Sequence, residues 1–82
     1  MTLYEFNILN FNDKIAIVWK DADFIDNYIP SFGELEYMSL YAIDKFYVEL
    51  VYNPSTNKIT DVRSFKTGVS LEKYLPNIES KI

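Results

Sequence analysis

The chain has 82 residues, of which 49% are hydrophobic and 17% aromatic, and its 12 acidic and 8 basic side chains leave a net charge of −4. That length suits a single domain over residues 1–82 with little room for an enclosed active site, and the six Phe, seven Tyr and one Trp supply large apolar area to a small core. Without cysteine or histidine there are no disulfides, thiol nucleophiles, Cys/His zinc centres or serine triads, and the scattered negative charge opposes binding of duplex nucleic acid.

At the N-terminus, Thr2-Leu3-Tyr4-Glu5 reads as a capping box, in which the Thr2 hydroxyl accepts the Glu5 amide and the Glu5 carboxylate accepts the Thr2 amide. Met1 and Phe6 stand at the ends of a hydrophobic staple. A short helix over about Leu3 to Leu9 follows, and the Asn10 to Asp13 step ends it and caps the next. Phe11, Ile15, Val18 and Trp19 fall at helical spacing, so the second helix, to about Lys20, carries one apolar stripe expected to pack in the core, Trp19 included.

No Lys or Arg precedes Lys14, and Glu5, Asn7, Asn10, Asn12 and Asp13 interrupt the apolar residues of this region, so no signal peptide is expected. No window reaches about eighteen apolar residues. The expectation is a soluble, cytoplasmic protein with no membrane partner. Asp21, Asp23 and Asp26 lack the glycine and terminal glutamate of a calcium loop, and no metal or cofactor is expected.

Ala22 to Ile29 has strand character with a poor period and stops at Pro30, which suits an edge strand or an extended arm. Ser31-Phe32-Gly33 reads as a turn, Glu36 to Ile43 as a better strand, and Asp44-Lys45 as a short reversal. Phe46 to Asn53 is the strongest strand. The loop Asn53 to Lys58 carries Pro54, Ser55 and Asn57, and Ile59 to Lys66 returns. Gly68 and Ser70 then introduce a last helix, with Leu71, Tyr74, Leu75, Ile78 and Ile82 on one side and a break at Pro76. The fold class is therefore α+β: a small two-layer domain with two short N-terminal helices, a three- to four-stranded antiparallel meander and a C-terminal helix. The helices are expected to cover one sheet face and leave much of the other open.

Side chains alternate across a strand, so Phe46, Val48, Leu50 and Tyr52 share the core face while Tyr47, Glu49 and Val51 share the other. Pairing Leu50 with Val62 sets Glu49 opposite Arg63 and Tyr47 opposite Phe65. A slip by one residue would bring Arg63 and Asp61 onto the core face, at a cost of several kcal/mol for unpaired buried charge. Tyr47, Glu49, Val51, Arg63 and Phe65 then form an amphipathic second face, a candidate protein-interaction surface for a protein partner or a second copy of the chain, since Tyr and Arg are enriched at interfaces. Two alternatives stand beside this one. Glu49, Asp61 and Arg63 provide a carboxylate base and an anion clamp for a ligand-binding or catalytic domain, and Tyr47, Phe65 and Tyr41 provide a stacking platform for single-stranded nucleic acid.

The segments T-L-Y-E-F-N at Thr2 to Asn7, F-I-D at Phe24 to Asp26, L-Y-A-I-D-K-F-Y-V-E-L at Leu40 to Leu50, N-K-I at Asn57 to Ile59 and R-S-F-K at Arg63 to Lys66 resemble a group of short bacterial proteins that recur around genome-variable and mobile-element regions. The group has no assigned activity. The resemblance implies a bacterial, cytoplasmic context and no site residues. The expectation overall is a non-enzymatic protein-interaction module.

Overall fold

The computed structural model describes residues 1–29 and 36–66. Helices α1 (Leu3–Asn7) and α2 (Phe11–Asp21) precede strands β1 (Asp23–Tyr28), β2 (Tyr37–Ile43), β3 (Phe46–Asn53) and β4 (Lys58–Phe65). The strands form one antiparallel four-stranded meander in the order β1-β2-β3-β4, so the architecture is α+β. The turn expected at Ser31 to Gly33 and the C-terminal helix expected beyond Gly68 lie outside the described residues.

Local chemistry sets the helix starts. Glu5 N donates to Thr2 Oγ1 at 3.1 Å and Thr2 N donates to Glu5 Oε1 at 2.8 Å, completing the capping box. Asn10 caps α2 by accepting the Asp13 amide at 2.8 Å. Two residues in the left-handed region mark the reversals, Asp44 at φ 51° before β3 and Asn57 at φ 56° before β4, the side-chain types that tolerate that conformation best after glycine.

Both helices pack on one face of the sheet. Phe6 and Val18 join Ile43, Phe46, Val48 and Leu50 in the main core, with Leu3, Leu9, Ile17, Tyr41, Ile59 and Val62 against it. The Phe6 and Phe46 rings meet at 5.4 Å, and the Lys14 ammonium lies 5.8 Å over the Phe6 ring, closing the cluster with an aliphatic stem whose charge stays wet. Ser64 donates to the Asn7 side chain, tying α1 to β4. The apolar stripe of α2 is narrower than its spacing suggests: Val18 is buried, Ile15 half-buried, and Phe11 and Trp19 are exposed. Ile17 packs on the core in Trp19's stead, which corrects the expectation that Trp19 is a core residue.

Both outer strands carry a bulge. In β1 the register shifts between Phe24 and Asp26, and in β4 Thr60 is the extra residue opposite Val51 and Tyr52. Thr60 Oγ1 donates to the Val51 carbonyl at 3.2 Å, recovering a hydrogen bond at the irregularity. Bulges twist a free edge away from the flat geometry that strand addition needs.

Candidate functional site

The β3–β4 register is the one expected from charge burial, with Leu50 opposite Val62, Glu49 opposite Arg63 and Tyr47 opposite Phe65. The Tyr47 and Phe65 rings stack at 6.3 Å, and Arg63 Nη1 lies 3.5 Å from Glu49 Oε1. This face is nevertheless not open at its centre: Glu49, Val51 and Leu40 are fully buried. Leu40 of β2 gathers Ile25 and Tyr28 of β1 with Tyr47 and Phe65 into a second apolar cluster. The expectation of an uncovered face is corrected accordingly. It rested on a chain with helices enough for one sheet face only; on the other, Ile25, the extra residue at the β1 bulge, packs on Leu40.

Of the five residues expected to form a contact surface, Tyr47 and Phe65 are half-buried, Glu49 and Val51 are interior, and Arg63 is exposed. Arg63 bridges two carboxylates, since its Nε also donates to Asp61 Oδ2 at 3.1 Å. The bond to Asp61, and then the charge of Glu49, push the guanidinium pKa further up. Glu49, Asp61 and Arg63 are thus brought together as an ion cluster of two carboxylates on one guanidinium, with Glu49 buried and the other two exposed. Among the described residues no group of three or more acidic side chains is placed to hold a metal ion, and no helix among them is long and apolar enough to cross a membrane. Of the rings considered as a nucleic-acid platform, Tyr47 and Phe65 lie together on the far side, whereas Tyr41 pairs with Val48 and Ala42 with Tyr47, which puts Tyr41 on the helix side.

The helix side holds a different feature. Helix α2, with 11 residues, is about 16 Å long, whereas β3, with 8 residues, runs about 26 Å. Among the described residues the helical layer therefore covers the Ile43 and Phe46 end of the sheet and stops short of the Tyr37 and Tyr52 end, where both tyrosines are half-buried. An open groove of about 320 Å³ results, lined by Trp19, Ser39, Tyr41, Leu50, Tyr52, Asn57 and Ile59. Trp19 is 60% exposed and Phe24 53%, and both rest edge-to-face on Tyr41, with ring centroids 5.8 and 5.6 Å away. Tyr37 and Tyr52 meet the same way at 4.5 Å.

Polar atoms sit among these rings. Ser39 Oγ donates to Asn27 Oδ1 at 2.7 Å and lies 3.2 Å from Tyr52 Oη. Burial, with a smaller contribution from Tyr52, pushes the Tyr41 pKa above its ordinary value of 10.0, so this phenol stays neutral at physiological pH. A second groove of about 490 Å³ opens between Met1–Leu3, Asp44–Phe46 and Lys66. Its Asp44 carboxylate is already engaged by the Met1 amine at 2.6 Å. Neither groove is lined by Glu49, Asp61 or Arg63.

Sequence reasoning assigned Trp19 to the core and did not consider Ser39, Asn57 or Phe24 as site residues. The signal available in the sequence was the polar break at Ser39 in an otherwise apolar strand. No protein-family model, curated protein or solved structure matches this chain.

Proposed function

We propose that this protein is a non-enzymatic binding module that engages a protein partner through the aromatic edge of Trp19, Phe24 and Tyr41 and the groove beside it. One observation carries the reading. Trp19 and Phe24 are more than half exposed, yet each is held on Tyr41 in edge-to-face geometry. Large rings already fixed in place lose little side-chain freedom when a partner covers them, and such rings dominate the energetics of protein contacts. The bulges in β1 and β4 disfavour recognition by strand addition, and the burial of Glu49 and Val51 turns the contact surface toward the helix side, with Arg63 left as a rim charge of the far face.

The test is selection of displayed peptides on the wild-type protein, with Trp19→Ser/Phe24→Ser and Tyr47→Ala/Arg63→Glu variants as counter-targets. Peptides that bind wild type and the far-face variant but not the Trp19/Phe24 variant support the reading. Peptides that lose binding only to the far-face variant, or no enrichment above background, overturn it.

A further inference from the structure

The groove beside Trp19 has a chemistry that narrows what can fill it. In a protein in which 24% of residues are charged, none of the described residues that line it is Asp, Glu, Lys or Arg. A phosphate, carboxylate or ammonium placed there would lose water without gaining a counter-charge, at a cost of several kcal/mol. The walls are the Trp19, Tyr41 and Tyr52 rings with Leu50 and Ile59, which favours an apolar, planar group. About 320 Å³ is the lower end of the size range for small-molecule sites, enough for one large side chain.

The hydrogen-bond chain at the groove has a direction. A serine hydroxyl carries one hydrogen, and the Ser39 hydrogen goes to Asn27 Oδ1 at 2.7 Å. Tyr52 Oη, 3.2 Å from Ser39 Oγ, must therefore be the donor of that pair. Its own lone pairs remain to accept. The polar group offered by Tyr52 to an occupant is thus an acceptor, and the occupant that complements it is a donor.

We propose that the groove seats one aromatic side chain of the partner bearing an N–H or O–H at its rim, a tryptophan or a tyrosine, with that hydrogen donated to Tyr52 Oη. This rests on the binding-module reading and specifies which side chain of the partner is the anchor.

Trp19 is the sole tryptophan of the chain, so its indole N–H cross-peak in ¹⁵N-labelled protein reports on the groove without ambiguity. The probes are N-acetyl-tryptophanamide, N-acetyl-tyrosinamide, N-acetyl-phenylalaninamide, N-acetyl-lysinamide and methyl β-glucoside. The expected result is a saturable shift of the Trp19 peak with the first two, weaker binding of the phenylalanine amide, and none with the lysine amide or the sugar. Tyr52→Phe keeps the ring and removes the acceptor. In that variant, tryptophanamide affinity should fall about fivefold, the equivalent of one neutral hydrogen bond, while phenylalaninamide affinity stays unchanged. Thermal unfolding and the remaining cross-peaks confirm that the variant is folded. Equal binding of the lysine amide, a saturable shift with the sugar alone, or an equal loss for both aromatic amides in Tyr52→Phe would each overturn the anchor. If selected peptides depend on Trp19 and Phe24 while no probe moves the indole peak, the anchor falls and the binding module stands.

Discussion

Arg63 holds two carboxylates of opposite character, the fully buried Glu49 across the strand pair and the solvent-exposed Asp61 on its own strand. The Asp61 bond is shorter, 3.1 Å against 3.5 Å, and it has the larger influence on the Arg63 proton. Stability should depend on the longer contact. Asp61 and Arg63 are 52% and 46% exposed, so water competes for that pair, whereas Glu49 has no exposed surface and has already lost its hydration. In double-mutant cycles by urea denaturation, Glu49→Gln with Arg63→Gln is expected to show a coupling of about 1 to 2 kcal/mol, and Asp61→Asn with Arg63→Gln about 0.5 kcal/mol or less. Equal couplings would mean that burial does not decide the matter.

Phe6 and Trp19 invert the usual expectation from ring size. Phe6 is fully buried against Phe46, so Phe6→Ala should cost about 3 to 5 kcal/mol through lost transfer energy and a cavity. Trp19, the larger ring, is mostly in water, and Trp19→Ser should cost about 1 kcal/mol or less. Chemical denaturation of the two variants side by side checks the ordering. It also establishes that the Trp19 variant used in binding experiments is folded.

The reversal before β4 depends on Asn57, which holds φ 56° and donates its amide to the Asn53 carbonyl at 2.8 Å. Asn57→Ala places a Cβ with no local hydrogen-bonding ability in the left-handed region and should destabilise the fold by about 1 kcal/mol, while Asn57→Gly should be close to neutral. Thermal melts of both variants read the difference. A harmless alanine substitution would place the reversal elsewhere.

The N-terminal segment carries two titrating contacts of opposite sign. The backbone amide and then the hydroxyl of Thr2 hold the Glu5 carboxyl below its ordinary 4.5. A depressed acid contributes stability that is complete above 4.5 and is lost as pH falls through the lowered folded value. The hydrogen bond to Asp44 is the largest influence raising the Met1 amine above 8.0, and its contribution is complete below 8.0 and fades as pH rises through the folded value. Glu5→Gln should therefore flatten the acid limb of the stability–pH curve and Asp44→Asn the alkaline limb, with little change between the two values. Both groups are exposed, so the slopes should be shallow and should shrink further with salt.

Local and pairwise signals were legible in the sequence. The Thr2/Glu5 capping box, the Asn10 cap, the four strands and the β3–β4 register follow from side-chain hydrogen bonding to nearby amides, from period-two alternation, and from the cost of burying Arg63 and Asp61 on the core face. Each needs information from at most about twenty consecutive residues. Which residues are buried is a property of the assembled layers, and there the sequence was a poor guide. The apolar spacing of α2 could not say that Ile17 packs on the core while Trp19, more than half exposed, rests on Tyr41 at the groove. The alternation of β3 identified its two faces correctly but could not reveal that Glu49 and Val51 on the second face are buried as well, nor that Leu40, Ile25 and Tyr28 of β2 and β1 build a second apolar cluster there. The sequence alone determined how β3 pairs with β4; the stacking of unequal-length helices on the sheet decided which aromatic rings meet water, because exposure depends on what covers a residue and not on its neighbours along the chain.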